Sequence, residues 1–240
     1  MKRFSICAAC FVCLAAFAVS FAMAQEKAPA QDGWINLFEG KTLADFDCYL
    51  DDNGVKENVY TLEDGILKVS GNPYGWLSPK GTYRNFIFET EIFYPTDDPK
   101  ANSGIFIRIA EPENRPTPLF LPPCVECQLQ TQNIGHLFAF HGHTLIGASD
   151  RYSYRERKEF DGKAAPELHK LLHVKNAQVG ADGWNKLAIF CHEDLVTVFL
   201  NGQAVNWACN VTNAAGRIGF QSEGGQVWFR NARIKPMDEK

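Results

Sequence analysis

The chain has 240 residues, of which 22% are charged, and its formal net charge is −4 at pH 7. A nucleic-acid-binding protein needs a basic stripe, so this charge balance predicts no nucleic-acid partner. The length is sufficient for a targeting segment followed by one large β domain.

The N-terminus has the layout of a secretory signal peptide. Lys2 and Arg3 precede an apolar run over residues 4–22, and Ala22-Met23-Ala24 offers a small-x-small cleavage site. A transmembrane anchor is the alternative, but the run is short for a span and the cleavage site follows at once. We therefore expect an exported protein, periplasmic or secreted, with no stable membrane span after signal removal. The expected organisation is a signal peptide over 1–24, a flexible leader over 25–32 and one domain over 33–237.

Strand-like runs bounded by turn residues fill the rest of the chain. Residues 59–62 and 66–69 flank Glu63-Asp64-Gly65 as a hairpin, and Asn201-Gly202 marks a second hairpin because both residues tolerate positive φ. Further strands are predicted over 85–94, 104–110, 125–131, 137–140, 186–191, 195–200, 203–207, 217–221 and 226–234. Helix is scarce: we predict two turns over 166–173 and a surface loop over 150–161. The pattern predicts an all-β, two-sheet sandwich or jelly roll.

Alternation along three of these strands places polar groups on common faces. The three sets are Asn102, Gly104, Phe106 and Arg108; Glu126, Gln128 and Gln130; and Arg217, Gly219, Gln221 and Glu223. A solvated outer sheet face would explain them equally well. However, they are amides, carboxylates and Arg without Lys, accompanied by Gly and Phe, which suits a sugar-binding groove.

Other chemistry-bearing residues give weaker signals. His141 could serve as a base or a metal ligand, although exposed loop histidines are the simpler interpretation. Cys124 and Cys127 form a lone C-x-x-C, for which zinc would need partners such as Cys191-His192. Buried thiols or one disulfide are favoured over zinc or a redox motif. Tryptophans 76, 184, 207 and 228 are either sugar platforms or core. We predict no metal site and no cofactor.

Several short segments resemble one known family in order and spacing. They are 33–41 (GWINLFEGK), 102–108 (NSGIFIR), 125–129 (VECQL), 183–185 (GWN), 201–202 (NG), 216–225 (GRIGFQSEGG) and 229–231 (FRN). The family is that of the 3-keto-disaccharide hydrolase domains, also described as 3-keto-glucoside lyase and hydratase-like. The resemblance runs from about residue 33 to 236, and it implies a concanavalin/LamG-like jelly-roll sandwich that acts on an oxidised sugar or glycoside.

The resemblance implies cleavage of a glycoside already oxidised to a ketone at sugar carbon 3. The ketone acidifies the proton on carbon 2, so a base can remove it and the oxygen on carbon 1 leaves by β-elimination; water addition would give net hydrolysis. Such chemistry requires a base, a cradle for the enolate and a donor for the leaving oxygen. We assign Arg108 to the enolate, Glu126 as the base with His141 second, and Asn102, Gln128, Gln221 and Glu223 to sugar hydroxyls. A divalent metal polarising the ketone is compatible with this scheme.

One departure from the family pattern lies just after the Glu-x-Gln motif. The pattern has an acidic residue there, whereas this chain carries Gln130 and Thr131. A non-catalytic glycan-binding module of the same fold is therefore the alternative function. A structural or interaction domain of the cell surface is a third class.

Overall fold

The computed structural model describes residues 33–110, 120–156, 158–160, 163–165, 167–175 and 183–237. The predicted signal peptide and leader lie outside these residues. No helix within the described ranges is both long and apolar enough to cross a membrane.

Eighteen strands form the described fold, accompanied by a 3-10 turn over Leu43–Asp45 and one short helix, α1 (Lys56–Val59). The strands are β1 (Ile35–Asn36), β2 (Phe46–Leu50), β3 (Tyr60–Glu63), β4 (Ile66–Val69), β5 (Gly75–Pro79), β6 (Phe86–Phe93), β7 (Gly104–Ile109), β8 (Cys124–Gln128), β9 (Leu137–Phe140), β10 (Tyr152–Arg155), β11 (Lys158–Phe160), β12 (Lys163–Ala165), β13 (Leu168–Leu171), β14 (Asn185–His192), β15 (Leu195–Leu200), β16 (Gln203–Ala208), β17 (Arg217–Ser222) and β18 (Val227–Pro236).

Two antiparallel eight-stranded sheets make up the jelly-roll sandwich. The back sheet has the order β16-β15-β14-β6-β18-β4-β3, and β1 pairs with β18. The front sheet has the order β10-β13-β9-β8-β7-β17-β5-β2, while β11 and β12 form a separate two-stranded ribbon. The predicted fold class is confirmed.

The sheets pack through the apolar half of each alternating strand. Phe88 and Ile189 of the back sheet and Ile105 and Phe220 of the front sheet are all fully buried in one cluster. The Phe220 ring lies 6.1 Å from that of Phe88 and 5.2 Å from that of Phe229 across the interface. Burial of each such ring contributes roughly 1.5–3 kcal/mol.

The front sheet is buried on its outer face as well, which is the face turned away from the back sheet. A second apolar cluster lies there and contains Trp76, Phe106, Ile109, Cys124 and Phe140. Every residue of β7 and β17 is buried. An antiparallel sheet needs only one buried face. The burial of the outer face of the front sheet therefore makes that face the candidate location of a functional site.

Two local predictions are wrong. The stretch 166–173, predicted as helix, contains β13, which pairs with β9 and β10. Its leucines fit either period over so short a run, and the two neighbouring strands decide for a strand. The stretch 150–161, predicted as a surface loop, contains β10 and β11.

The cysteines of the C-x-x-C pair point to opposite faces of β8. Cys124 belongs to the outer cluster and Cys127 to the core between the sheets. Both are free thiols, as are Cys48, Cys191 and Cys209 in the described chain. The expectation of buried thiols therefore fits this pair.

Candidate functional site

Glu126 is the most deeply buried carboxylate on the outer face of the front sheet. It lies in the middle of β8 and is only 2% exposed. Its neighbours across the strands are Phe106 of β7 and Phe138 of β9. Two aromatic neighbours remove water from the carboxyl group and disfavour its charged form.

Gly104 opens the space into which the Glu126 side chain turns. A Cβ atom at residue 104 would lie 2.4 Å from Oε1 of Glu126 and 2.7 Å from Oε1 of Gln221. Real Cβ atoms do not approach heavy atoms so closely, so any side chain at residue 104 would displace the carboxyl of Glu126 or the amide of Gln221. The missing side chain on β7 lets groups from β8 and β17 meet across the strand between them.

Glu223 joins the group from the residue after β17. The Asn102 side-chain amide donates a 2.7 Å hydrogen bond to Oε2 of Glu223. Asn102 precedes β7, so the carboxyl and amide come from the ends of two neighbouring strands. Alternation predicts each of these polar residues on the polar face of its own strand, and the structure brings Asn102, Glu126, Gln221 and Glu223 together.

Both carboxyl groups have raised pKa values. Burial raises the pKa of Glu223 to about 7, against the opposing effect of the neighbouring Gln221 and Asn102 amides. Burial, and then the nearby Glu223 charge, raises the pKa of Glu126 well above its usual range. The pair therefore retains at least one proton near neutral pH.

Four buried polar atoms of this group have no hydrogen-bond partner among the described residues. They are Oδ1 of Asn102, Oε1 of Glu126, and both Oε1 and Nε2 of Gln221. Buried polar groups are normally satisfied, so this concentration indicates room for a polar ligand. The atoms include donors and acceptors in planar groups, which suits hydroxyl and carbonyl oxygens.

Aromatic side chains flank the polar group on both sides. Toward one sheet edge, Trp76 pairs in register with Gln221, and its ring lies 4.1 Å from that of Tyr49. Toward the other edge, the rings of Phe138 and Phe140 stack 6.1 Å apart. A polar centre between apolar walls is the usual composition of a small-molecule site.

Two predicted site residues lie apart from this group or are otherwise engaged. Oε1 of Gln128 accepts hydrogen bonds from the backbone N–H groups of Leu129 and Gln130, at 2.9 and 3.0 Å. His141 follows β9, three residues beyond the register partner of Glu126, which is roughly 10 Å along the strand.

Arg108 is turned away from the carboxyl pair. Its guanidinium donates to the backbone carbonyls of Thr212 at 2.6 Å, Arg84 at 3.0 Å and Glu193 at 2.5 Å. The register between β7 and β17 shifts here, and Arg108 has a φ of 55°. This β-bulge adds one residue to β7 and breaks the alternation from which an enolate-binding role was inferred.

We expect Arg108→Met to destabilise the fold without changing the chemistry of the molecules that remain folded. The substitution leaves three carbonyls without their donor, so the free energy of unfolding should fall by about 3 kcal/mol or more. Denaturant unfolding measures the loss, and kcat/KM per folded molecule should stay within a factor of about 3. Parental stability together with a large loss of activity would instead place Arg108 at the substrate.

Gln130 and Thr131, where the chain departs from the family pattern, lie in a turn that is closed by hydrogen bonds. Oε1 of Gln130 accepts a 2.7 Å hydrogen bond from Asn133, and the Thr131 hydroxyl donates to the Pro99 carbonyl. Neither residue contributes a carboxyl to the site, whereas Glu223 does. In the described ranges, no three His, Cys, Asp or Glu side chains are grouped so as to share a metal ion.

Sequence reasoning left one part of the site unassigned. Gly104 was placed on the polar face of β7, but its role depends on the proximity of two side chains from neighbouring strands.

Comparisons with known proteins identify the family and the fold of the chain. The family model described as 3-keto-alpha-glucoside-1,2-lyase-like domain matches residues 33–235. Two crystal structures from Parabacteroides distasonis ATCC 8503, both named as candidate glycosyl hydrolases, have the same fold. One is 19% identical with a TM-score of 0.55, covering 85% of this chain and 99% of the other. The second is 17% identical with a TM-score of 0.56, covering 86% and 95%.

No sequence among the curated proteins matches the chain. The family match spans most of the sequence and includes Asn102, Glu126, Gln221 and Glu223. The chain therefore belongs to the 3-keto-alpha-glucoside-1,2-lyase-like domain family.

Proposed function

We propose that this protein is an exported carbohydrate-active enzyme that cleaves 3-keto-glycosides by β-elimination, with or without subsequent addition of water. The observation that carries the proposal is the pair of buried, proton-retaining carboxyls at Glu126 and Glu223. Family membership supports the substrate class. Residues 1–24 support export, to the periplasm or outside the cell.

The two carboxyls divide the proton transfers. Glu223 is less buried than Glu126, so we assign the charged carboxylate to Glu223, as the base that removes the proton on carbon 2. Glu126 remains protonated at neutral pH and donates to the leaving oxygen on carbon 1. This assignment exchanges the roles predicted from sequence, because greater burial favours the protonated form of Glu126.

The electrons follow a single path. The carbon 2–hydrogen bond supplies a pair that delocalises into the carbon 3 carbonyl as an enolate. That enolate reforms the ketone as the carbon 1–oxygen bond breaks, leaving a double bond between carbons 1 and 2. The leaving oxygen takes the Glu126 proton. The substrate therefore loses one proton to Glu223, and its leaving group gains one from Glu126. No cofactor enters this scheme.

Asn102 and Gln221 would hold the sugar. Asn102 keeps one amide oxygen unpaired while its nitrogen fixes Glu223, and both amide atoms of Gln221 lack partners in the described chain. Trp76, in register with Gln221, is buried in the apolar cluster beside these amides. These groups can orient a substrate without taking part in proton transfer.

The first test compares 3-keto-glucosides with the matching unoxidised glucosides, each carrying a chromogenic leaving group. The protein from Gln25 onward should release the chromogen only from the oxidised series, because the carbon 2 proton is not acidic without the ketone. Deuterium at carbon 2 should slow release by a factor of about 2 or more. Cleavage of both series without an isotope effect would instead indicate conventional two-carboxylate glycoside hydrolysis. Binding of glycans without cleavage of either series would support the glycan-binding module.

A further inference from the structure

His136 lies on the same outer face as Glu126, on the strand beyond it. Its backbone carbonyl accepts a 2.9 Å hydrogen bond from the N–H of Gln128, so it continues the pairing of β9 with β8. It is two residues from Phe138, the register partner of Glu126, and therefore shares its face. Diagonal neighbours of this kind are about 7–8 Å apart, within reach of one bound sugar.

The tautomer of His136 is fixed by the backbone. The N–H of His173 donates a 3.0 Å hydrogen bond to Nδ1 of His136, so Nδ1 must be unprotonated. The neutral ring therefore carries its proton on Nε2. Nε2 has no hydrogen-bond partner in the described chain and is not among the polar atoms sealed from solvent.

The surroundings keep this imidazole uncharged. Burial, His173 and Lys170 together lower the pKa of His136 to about 4. The His173 ring lies 4.3 Å away, edge to face, with its own Nδ1 on the Ile134 carbonyl. The ammonium group of Lys170 is held 5.5 Å from the Phe138 ring. No carboxylate is among the groups that act on His136, so it remains a neutral N–H donor throughout the physiological range.

The proposed reaction still needs a donor for the enolate oxygen. Glu223 and Glu126 are used for proton removal and proton donation, and Arg108 is bound to three backbone carbonyls. A fixed neutral imidazole suits an enolate, because its hydrogen bond to the oxygen strengthens as negative charge develops while the proton stays on Nε2. On the basis of the proposed function, we infer that Nε2–H of His136 donates the hydrogen bond that stabilises the enolate oxygen on carbon 3.

Exchange of the carbon 2 proton tests this role apart from cleavage. In D₂O, methyl 3-keto-glucoside has a poor leaving group, so deuterium incorporation at carbon 2 reports enolate formation alone. His136→Phe, which keeps the ring volume, should slow incorporation about 100-fold, the usual loss for one oxyanion donor. His136→Gln, which restores an N–H at a similar reach, should recover most of the rate.

The matched control is His192→Phe, since His192 lies on β14 of the back sheet beside Phe190. It should exchange at the parental rate, and thermal unfolding should show that all variants are folded. Parental exchange in His136→Phe would overturn this inference alone. Equal slowing in His136→Phe and His136→Gln would also overturn it, because it would indicate packing rather than donation. Absence of exchange in the parent would overturn the proposed function together with the inference.

Discussion

Glu223→Gln is expected to lower kcat/KM for a chromogenic 3-keto-glucoside by about 10³-fold. The substitution keeps the shape of the side chain and an oxygen for the 2.7 Å bond from Asn102, but it removes the base. Losses of 10²–10⁴ are usual for a general base. Initial rates of chromogen release at several substrate concentrations measure the effect, and KM should change little.

The dependence of kcat/KM on pH in the parent enzyme should report the titration of Glu223. Below a pH of about 7, Glu223 is protonated and cannot accept the carbon 2 proton, so kcat/KM should rise with pH through this value. At higher pH, activity should fall again as Glu126 loses the proton that it donates, since its pKa is raised further. In Glu126→Gln the alkaline limb should disappear from the residual activity.

Stability should move in the opposite direction to activity. The pKa of Glu223 is higher in the folded than in the unfolded state. Its contribution to the free energy of unfolding is therefore fully present below about pH 4.5 and is lost as pH rises through about 7. A shift of this size corresponds to about 3 kcal/mol. Glu223→Gln, which carries no charge, should therefore be more stable than the parent at pH 8, by denaturant unfolding, and similar to it at pH 4.5.

The control for this pair of measurements is Glu63→Gln. Glu63 forms an exposed ion pair with Lys68 at 3.1 Å, on the hairpin of β3 and β4. Its loss should change stability by less than about 1 kcal/mol and leave activity intact. If Glu223→Gln retained more than a tenth of the parental kcat/KM, Glu223 would not be the base.

Gly104→Ala should disable the site through a single methyl group. The new Cβ would come within 2.4 Å of the Glu126 carboxyl and 2.7 Å of the Gln221 amide, so at least one of them must move. A displacement of about 1 Å in a proton-transfer group can lower the rate by about 10²-fold. We expect a loss of kcat/KM of at least that size and a stability cost of about 1–3 kcal/mol.

Gly219→Ala separates the loss of the site from ordinary crowding. Gly219 lies on the same outer face, opposite Phe106, and the atoms nearest to a Cβ there would belong to the Ile109 and Phe106 side chains, at 2.8 and 3.3 Å. This variant should show a similar stability cost but retain most of its activity. If both variants lost activity equally, the proximity of Glu126 to Gln221 would not explain the effect.

The strand pattern was sufficient to predict the sandwich and half of the site. Side chains alternate wherever the ladder is regular, so the sequence predicts Glu126 on the polar face of one strand and Gln221 with Glu223 on the polar face of another. The assignment failed at Arg108 because a bulge changes the phase of β7, and nothing in the local sequence marks a left-handed arginine. Roles within the carboxyl pair depend on relative burial, which one strand cannot reveal.

The stretch 166–173 failed for a different reason. Its two leucines at 168 and 171 lie on opposite faces of β13, one on the outer face and one in the core between the sheets. Spaced three apart, they satisfy a helical period equally well, and only pairing with β9 and β10 decides between the two. His136 was missed because its function depends on a backbone N–H from residue 173, far away in sequence.

The bulge at Arg108 also fixes the length of β7. Before the bulge, Gly104 and Phe106 lie on the outer face of the front sheet. At the bulge, Arg108 turns to the carbonyls of loops around the back sheet. Deleting one residue between 104 and 109 would restore a regular ladder but would detach one of these two functions. This strand should therefore tolerate substitutions far better than insertions or deletions, and homologous sequences are best aligned through it without gaps.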